Sequence, residues 1–147
     1  AILFAIAATF FNFLVALLFG SLTTGSSFSF QGMENVGYIF IQTVAYITFA
    51  MFLAVLFRRS GAAIAVFFLY GLIFEFIITM LINHKFNLSP VGYFLPLQVT
   101  DVMLPIPFGN KIIYDDAPDL WILVMASLIY IFGYFFFAMK KFTTDDL

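Results

Sequence analysis

Three polar side chains, Asn12, Gln42 and Glu75, interrupt long apolar stretches of this 147-residue sequence. If those stretches cross a membrane, hydrocarbon penalises all three side chains, and an ionisable group there is a candidate functional site by default. Glu75 is the only acid within the stretches. It could contact a substrate or a proton, hydrogen-bond a neighbouring helix, or reach the outer membrane interface.

Composition narrows the class of protein. Hydrophobic residues make up 64% of the chain and charged residues 10%, whereas about a quarter of the residues in an average soluble domain are charged. The composition therefore predicts an integral membrane protein. A formal net charge of -2 offers no basic footprint for nucleic acid, and the lack of cysteine excludes disulfides and thiolate metal sites.

Four apolar stretches are each long enough to cross the hydrocarbon core, which takes about 20 helical residues. They are residues 1–22, 36–57, 61–83 and 120–142. Because Arg58, Arg59 and Ser60 alone join the second stretch to the third, we expect these two to form a tight helical hairpin. The sequence therefore predicts an all-α integral membrane protein with four transmembrane helices in one domain over residues 1–147. Since the first stretch starts at Ala1 without an initiator methionine, we expect the chain to be a fragment.

The connection between the third and fourth stretches, residues 84–119, is itself rich in apolar residues. It holds all five prolines, which divide it into pieces too short to cross a bilayer. Irregular apolar backbone at membrane depth is tolerated where protein buries it or where it lines a cavity. We therefore expect a re-entrant or interfacial helical segment on the outer face, with two helical turns from Leu97 to Leu104 that place Gln98 and Asp101 on one face. This segment could cover the bundle as a lid or could contact a substrate.

The cationic residues set the expected orientation, because short loops rich in lysine and arginine stay in the cytoplasm. Arg58 and Arg59 lie in the hairpin turn, and Lys140 and Lys141 lie at the end of the last apolar stretch. Four spans place both pairs on the same side of the membrane, so the turn and both chain ends are expected in the cytoplasm. The arginines could have this role alone or could also contact a partner protein.

Equal distance from the turn predicts a seam between the two arms of the hairpin. Gln42 lies fifteen residues before Phe57 and Glu75 fifteen residues after Ser60, roughly 22 Å at 1.5 Å per residue, so we expect the Gln42 amide to bond the Glu75 carboxylate. Small residues in the seam favour close approach of membrane helices. The further pairs expected are Tyr46 with Gly71, Ala50 with Phe67, and Ala54 with Ala63.

Residue patterns for catalysis are largely missing from the sequence. His84 is the only histidine, so metal sites built on histidine and Ser-His pairs lack partners within the apolar stretches. No glycine-rich phosphate loop is present. Asp115, Asp116 and Asp119 could form a hard-cation site or a solvated acidic turn. We expect a chain that is not an enzyme by itself, with no catalytic residue, no metal and no cofactor of its own.

Three consecutive segments carry a resemblance to a known family. The hairpin FAMFLAVLFRRSGAAIAVFFLYGLIFEFII is followed by the proline-broken YFLPLQVTDVMLPIPF and by a last helix that ends in lysines. This order resembles the C-terminal four of the usual six helices in an ABC type-2 transporter permease. The resemblance covers essentially the whole chain, but the family's first two helices, its amphipathic entry helix and its coupling helix have no counterpart in the sequence.

The resemblance implies a permease subunit of an ATP-driven exporter, which pairs with a second copy or a homologous permease. Separate ATP-binding subunits would hold ATP and Mg²⁺. Arg58 and Arg59 would lie at the ATPase contact, and Glu75, Gln42 and Asn12 would be polar candidates on the substrate path. The location implied is the bacterial inner membrane, with the substrate unspecified.

A second class of protein stays open. The four helices could form an accessory or assembly subunit of a larger membrane complex, in which Phe-rich, charge-poor surfaces would be buried against other subunits or lipid. An ATPase that co-purifies would favour the permease, whereas a redox or synthase complex would favour the accessory subunit. An intramembrane enzyme is disfavoured because the catalytic residues are missing.

Overall fold

The computed structural model describes residues 2–24, 34–86, 88–104 and 117–145 of the chain. Every regular element among these residues is a helix, which confirms the predicted all-α class for this part of the chain. The α-helices are α1 (Ile2–Thr24), α2 (Glu34–Phe57), α3 (Ser60–Leu69), α4 (Glu75–Met80), α5 (Gln98–Asp101) and α6 (Leu120–Asp145). A π-helical turn, Tyr70–Phe74, continues α3 into α4, a second one, Leu81–Lys85, extends α4, and a 3₁₀ turn covers Val91–Phe94.

Among the described residues, three helical segments are long and apolar enough to cross a membrane: Asn35–Phe57, Ser60–Asn83 and Leu120–Thr144. They coincide with the second, third and fourth apolar stretches of the sequence, and they are consistent with an integral membrane protein. α1 is helical where the first stretch predicts a helix, but the apolar segment identified within it, Ile2–Val15, is shorter than a span. A fourth span therefore stays a prediction.

Two residues reverse the chain between α2 and α3. Arg58 adopts a left-handed backbone conformation with a φ of 51°, which costs a residue with a side chain about 1–2 kcal/mol. The Arg59 carbonyl accepts the Ala63 N–H at 3.0 Å and so starts α3. Both arginines are exposed. The tight hairpin predicted from the sequence is therefore present, and its turn presents two cations at one end of the bundle.

α2 is the central helix and packs against α1, α3, α5 and α6. Phe49 on α2 links α6 to the π-helical turn that follows α3, because its ring lies 5.4 Å from that of Tyr70 and 5.2 Å from that of Tyr134. The buried residues form two apolar clusters: Phe49, Leu53, Ala63 and Leu97 in the first, and Tyr93, Val99, Val102, Met103 and Leu123 in the second. Aromatic and aliphatic side chains therefore hold α2, α3 and α6 together.

The short helix α5 lies between α2, α4 and α6 and contacts all three. The sequence predicts two helical turns over residues 97–104, and the structure has a single α-helical turn at this place. Thr100 is fully buried, so α5 belongs to the interior of the bundle. Residues 105–116, which include Asp115 and Asp116 of the predicted acidic turn, lie outside the described part of the chain.

One face of α4 and of the π-helical turn after it points into the protein. Glu75, Thr79 and Asn83 follow one another at intervals of four residues, and all three are buried. The large apolar side chains between them are exposed, among them Phe76, Ile77, Ile78 and Met80. A helix with polar residues inside and apolar residues outside suits a lipid environment, in which polar groups must face protein.

The 3₁₀ turn is attached to this face by hydrogen bonds between side chains and backbone. The Thr79 hydroxyl donates to the Gly92 carbonyl at 3.3 Å, and Asn83 Oδ1 accepts the Gly92 N–H at 2.9 Å. A Cβ atom at position 92 would lie 2.5 Å from Asn83 Oδ1, which is closer than ordinary van der Waals contact allows. The close approach of the turn to Asn83 therefore requires glycine.

We expect Gly92→Ala to destabilise the fold, because the added methyl group would separate Asn83 from the turn and leave buried polar groups unpaired, at about 1–3 kcal/mol. Gly133→Ala is the matched control. Nothing lies within 4 Å of a Cβ at position 133 in α6, and alanine stabilises a helix interior over glycine by about 0.5–1 kcal/mol. Thermal unfolding in detergent should give a lower midpoint for Gly92→Ala than for Gly133→Ala. Equal midpoints would contradict the close contact.

Candidate functional site

Glu75 is fully buried at the first position of α4, directly after the π-helical turn Tyr70–Phe74. Its Oε1 atom accepts two backbone N–H groups, from Leu97 at 2.7 Å and from Gln98 at 3.0 Å. The first N–H groups of a helix have no partner within the helix, and no side chain at the N-cap of α5 supplies one. Glu75 therefore caps α5 from a different helix.

The second carboxyl oxygen of Glu75, Oε2, is buried and receives no hydrogen bond from the described residues. The Tyr134 hydroxyl on α6 is likewise buried without a partner among them. Tyr70, Tyr130 and Tyr134 all lie within electrostatic range of Glu75. The Tyr130 hydroxyl donates to the Phe94 carbonyl at 2.7 Å. The surroundings of Glu75 thus combine an acid with phenols, groups that can exchange a proton or bond a polar ligand.

Asp101, the last residue of α5, is the second acid of this region. Gln42 Nε2 donates to its Oδ1 at 2.7 Å, and the Tyr46 hydroxyl donates to Oδ1 at 2.8 Å and to Oδ2 at 3.0 Å. Burial raises the pKa of the Asp101 carboxyl above its ordinary value, and the bonds from Gln42 and Tyr46 offset only part of that rise. These bonds join the C-terminal end of α5 to α2.

The candidate site is therefore α5 with an acid at each end: Glu75, which caps its N-terminal end from α4, and Asp101, its own last residue. Carboxyl oxygens at these positions can accept hydrogen bonds from a polar substrate or carry a proton. Among the described residues, no three histidine, cysteine, aspartate or glutamate side chains are grouped so that they could hold a metal ion. Ser127 lies within the span formed by α6, and its hydroxyl donates to the Leu123 carbonyl of the same helix at 2.7 Å.

The structure brings Gln42 and Glu75 to α5 but not to each other. The predicted bond between them is wrong, because Gln42 bonds Asp101 and Glu75 bonds the backbone at the opposite end of α5. Counting residues from the turn places Gln42 and Glu75 at similar depth in ideal helices. Such a count takes no account of α5, which lies against both arms of the hairpin and bonds both residues.

The packing around Gly71 tests a second pair of the predicted seam. A Cβ at Gly71 would meet Leu97 Cδ1 at 3.2 Å, whereas Tyr46 packs edge-on against Phe67, with ring centroids 5.9 Å apart. The predicted pairing of Tyr46 with Gly71 is therefore wrong, because Leu97 occupies the space next to this glycine. The residues of the other two predicted pairs line a common groove: Ala50, Ala54, Ala63 and Phe67.

The other predicted site residues lie apart from the acids. Asn12 is exposed on α1, and its Nδ2 donates to the Ala8 carbonyl one turn earlier at 3.0 Å. Arg58 and Arg59 are exposed in the hairpin turn, roughly 22 Å from the level of Glu75 at 1.5 Å per helical residue. The structure thus connects Glu75 and Gln42 through α5 and leaves the other three residues elsewhere.

Several polar contacts of the site were not predicted from the sequence. Thr79 and Asn83 could have been found from their four-residue spacing after Glu75, which puts all three on one helix face. Asp101 carries a weaker signal, since an acid in an apolar segment requires hydrogen-bond donors if it is buried. Its spacing from Tyr46 in the sequence does not indicate that this tyrosine would be one of those donors.

Comparisons with protein-family models, with curated proteins and with solved structures find no match to this chain. The geometry of α5 and of the hairpin is therefore the basis on which a function can be proposed.

We expect Glu75→Gln to preserve the fold, because the amide oxygen can still accept both N–H groups of α5. Glu75→Leu should destabilise it, since two buried backbone donors would lose their acceptor, at about 1–3 kcal/mol each. Unfolding of both variants in the same detergent measures the difference. If Glu75→Leu were as stable as the unmodified chain, α5 would be held in place without the carboxylate.

Asp101 should make stability fall as pH rises. The pKa of its carboxyl is raised in the folded state from an ordinary value of 3.8, so the folded protein binds this proton more tightly than the unfolded chain does. The resulting stabilisation is fully present below the ordinary value and is lost as pH rises through the raised one. Asp101→Asn lacks the titrating group. Across this window, the unfolding midpoint of the unmodified chain should therefore fall relative to that of Asp101→Asn, and parallel profiles would contradict the assignment.

Proposed function

We propose that the chain is a membrane-spanning permease subunit of an ATP-driven exporter of the ABC type-2 class. It would form the translocation path with a second, identical or homologous permease, and separate ATPase subunits would supply ATP hydrolysis. The observation that carries the proposal is the contrast between the two ends of the hairpin. One end exposes Arg58 and Arg59 in a two-residue turn, and the other binds α5 through Glu75 and Gln42.

The hairpin would connect the two ends mechanically. The helical backbone continues from α3 into α4 through the π-helical turn, in which the Glu75 N–H donates to the Tyr70 carbonyl. An ATPase subunit that displaced the arginine turn would therefore also displace Glu75. Because Glu75 bonds the N-terminal end of α5 and Gln42 bonds Asp101 at the other end, α5 would move with the arms of the hairpin.

The acids are proposed to lie on the substrate path that this movement opens. Glu75 Oε2, which no donor among the described residues reaches, is the atom available to a proton or to a donor group of the substrate. Gln42 would take part through its bond to Asp101. Asn12 lies on the exposed surface of α1, so it would join the path only at an interface with another subunit.

The proposed orientation follows from the cations at the turn and at the end of α6. The turn and both chain ends would lie in the cytoplasm, and the connection with α5 would enter the bilayer from the outer face as a re-entrant segment of a bacterial inner-membrane protein. The depth of α5 supports this, because Tyr46, eleven residues before the end of α2, contacts it.

A second candidate function, an accessory subunit of a larger membrane complex, is favoured by a different observation. Large apolar side chains are exposed along α1, α4 and α6, for example Phe10, Phe76 and Phe132. These surfaces fit lipid and fit the interior of a larger assembly equally well. The partner that co-purifies with the full-length protein separates the two functions.

We expect Arg58→Gln combined with Arg59→Gln to weaken association with the ATPase by about tenfold or more, because each charge-assisted hydrogen bond contributes about 1.5–3 kcal/mol. ATPase activity coupled to the membrane subunit should fall with it. Co-purification and substrate-stimulated ATP hydrolysis by the full-length protein measure both effects.

The matched control is Lys140→Gln combined with Lys141→Gln, which removes two cations from the same predicted side. Insertion is checked with a single cysteine at Ser60, since the chain has no other. This cysteine should react with an impermeant reagent from the cytoplasmic side only. An arginine variant that inserts correctly and keeps full ATPase coupling would overturn the ATPase contact, and co-purification of a redox or synthase complex would favour the accessory subunit.

A further inference from the structure

An apolar groove of about 560 Å³ opens between α1, α2 and α3. Three small residues line it, Ala50, Ala54 and Ala63, with Phe4 and Phe67 beside them. Its volume is within the range of small-molecule sites, roughly 300–1,000 Å³. Because nearly all of its wall is apolar, a hydrocarbon chain is the occupant that its chemistry fits.

The groove is continuous with the arginine turn. Ser60 lines it and directly follows Arg58 and Arg59, both exposed. A guanidinium group recognises phosphate through two parallel N–H bonds. One end of the apolar groove therefore carries the charge that complements a phosphate group.

We propose that the groove and the turn together bind one anionic phospholipid, with an acyl chain along Ala50, Ala54 and Ala63 and the headgroup phosphate at Arg58 and Arg59. The groove provides shape but little selectivity, since an acyl chain that leaves the bilayer for the groove exchanges one apolar environment for another. The arginines provide selectivity, because cations at a membrane surface attract an anionic headgroup. An apolar helix of another protein would fill the groove without using this charge.

The test is lipid retention by the full-length protein in nanodiscs that contain equal amounts of phosphatidylglycerol and phosphatidylcholine with identical acyl chains. Mass spectrometry of lipids that stay bound after mild extraction should show one phosphatidylglycerol per protein, preferred about tenfold or more on account of the two cations. Arg58→Gln combined with Arg59→Gln should reduce this preference to near parity. Lys140→Gln combined with Lys141→Gln should keep it.

A second pair of variants tests the groove separately from the charge. Ala54→Phe enlarges an exposed residue of the groove, so it should block the acyl chain without disturbing the core and reduce retained phosphatidylglycerol severalfold. Ala65→Phe, the same change at an exposed residue of α3 outside the groove lining, should retain the lipid. No ATPase is present in these measurements, so their outcome is independent of the proposed ATPase contact.

Four results would overturn the proposal. The arginine variant could keep the phosphatidylglycerol preference, or the two phenylalanine variants could retain lipid equally. Inorganic phosphate alone could displace all of the bound lipid, which would make the turn a site for a free anion. The unmodified chain could form a dimer that Ala54→Phe abolishes, which would make a second copy the occupant of the groove.

Discussion

A carboxylate buried in an apolar helix must have hydrogen-bond donors, and Glu75 has them in the backbone of α5. The need is mutual, because the N–H groups of Leu97 and Gln98 have no partner inside their own short helix. If the carboxylate or the N–H groups were buried in an apolar interior without these hydrogen bonds, the folded state would be destabilised by roughly several kcal/mol. Since α5 also contacts α2 and α6, this pair of hydrogen bonds links α4 to the two long helices that pack against α5.

Bonds from side chains to backbone do not by themselves select which residue of the connection is bound, because every non-proline residue offers an N–H and a carbonyl. Close packing at two glycines determines which residues of the connection are bound. The backbone can approach Asn83 as closely as it does because residue 92 is a glycine, and Gly71 leaves room for the side chain of Leu97. The residue after Pro96 is thereby placed at Glu75, and the register of the connection is set at both of its attachments.

The sequence was sufficient to predict the features that depend on local composition and length. The apolar stretches, the short arginine turn and a helical turn near Leu97 each follow from one segment considered by itself. The partners of Gln42 and Glu75 could not be predicted in this way, because each partner lies on α5, and the backbone groups that bind Glu75 leave no mark in the residue types. The close contact between Gly92 and Asn83 likewise depends on two segments of the chain. The sequence shows the glycine but not the residue that it approaches.

In a bilayer, the hydrophobic effect does little to hold helices against one another, since lipid offers the same apolar environment, and helices are held by close packing and by hydrogen bonds. The few polar contacts then decide how α5 is placed, and any movement of α5 must keep acceptors for its N–H groups and donors for Asp101. Glu75 Oε2 makes such a change possible, because no hydrogen-bond donor among the described residues reaches it. A proton or a polar group that binds Oε2 would weaken the hold of Glu75 on α5. The link between α4 and α5 therefore depends on whether Oε2 is occupied.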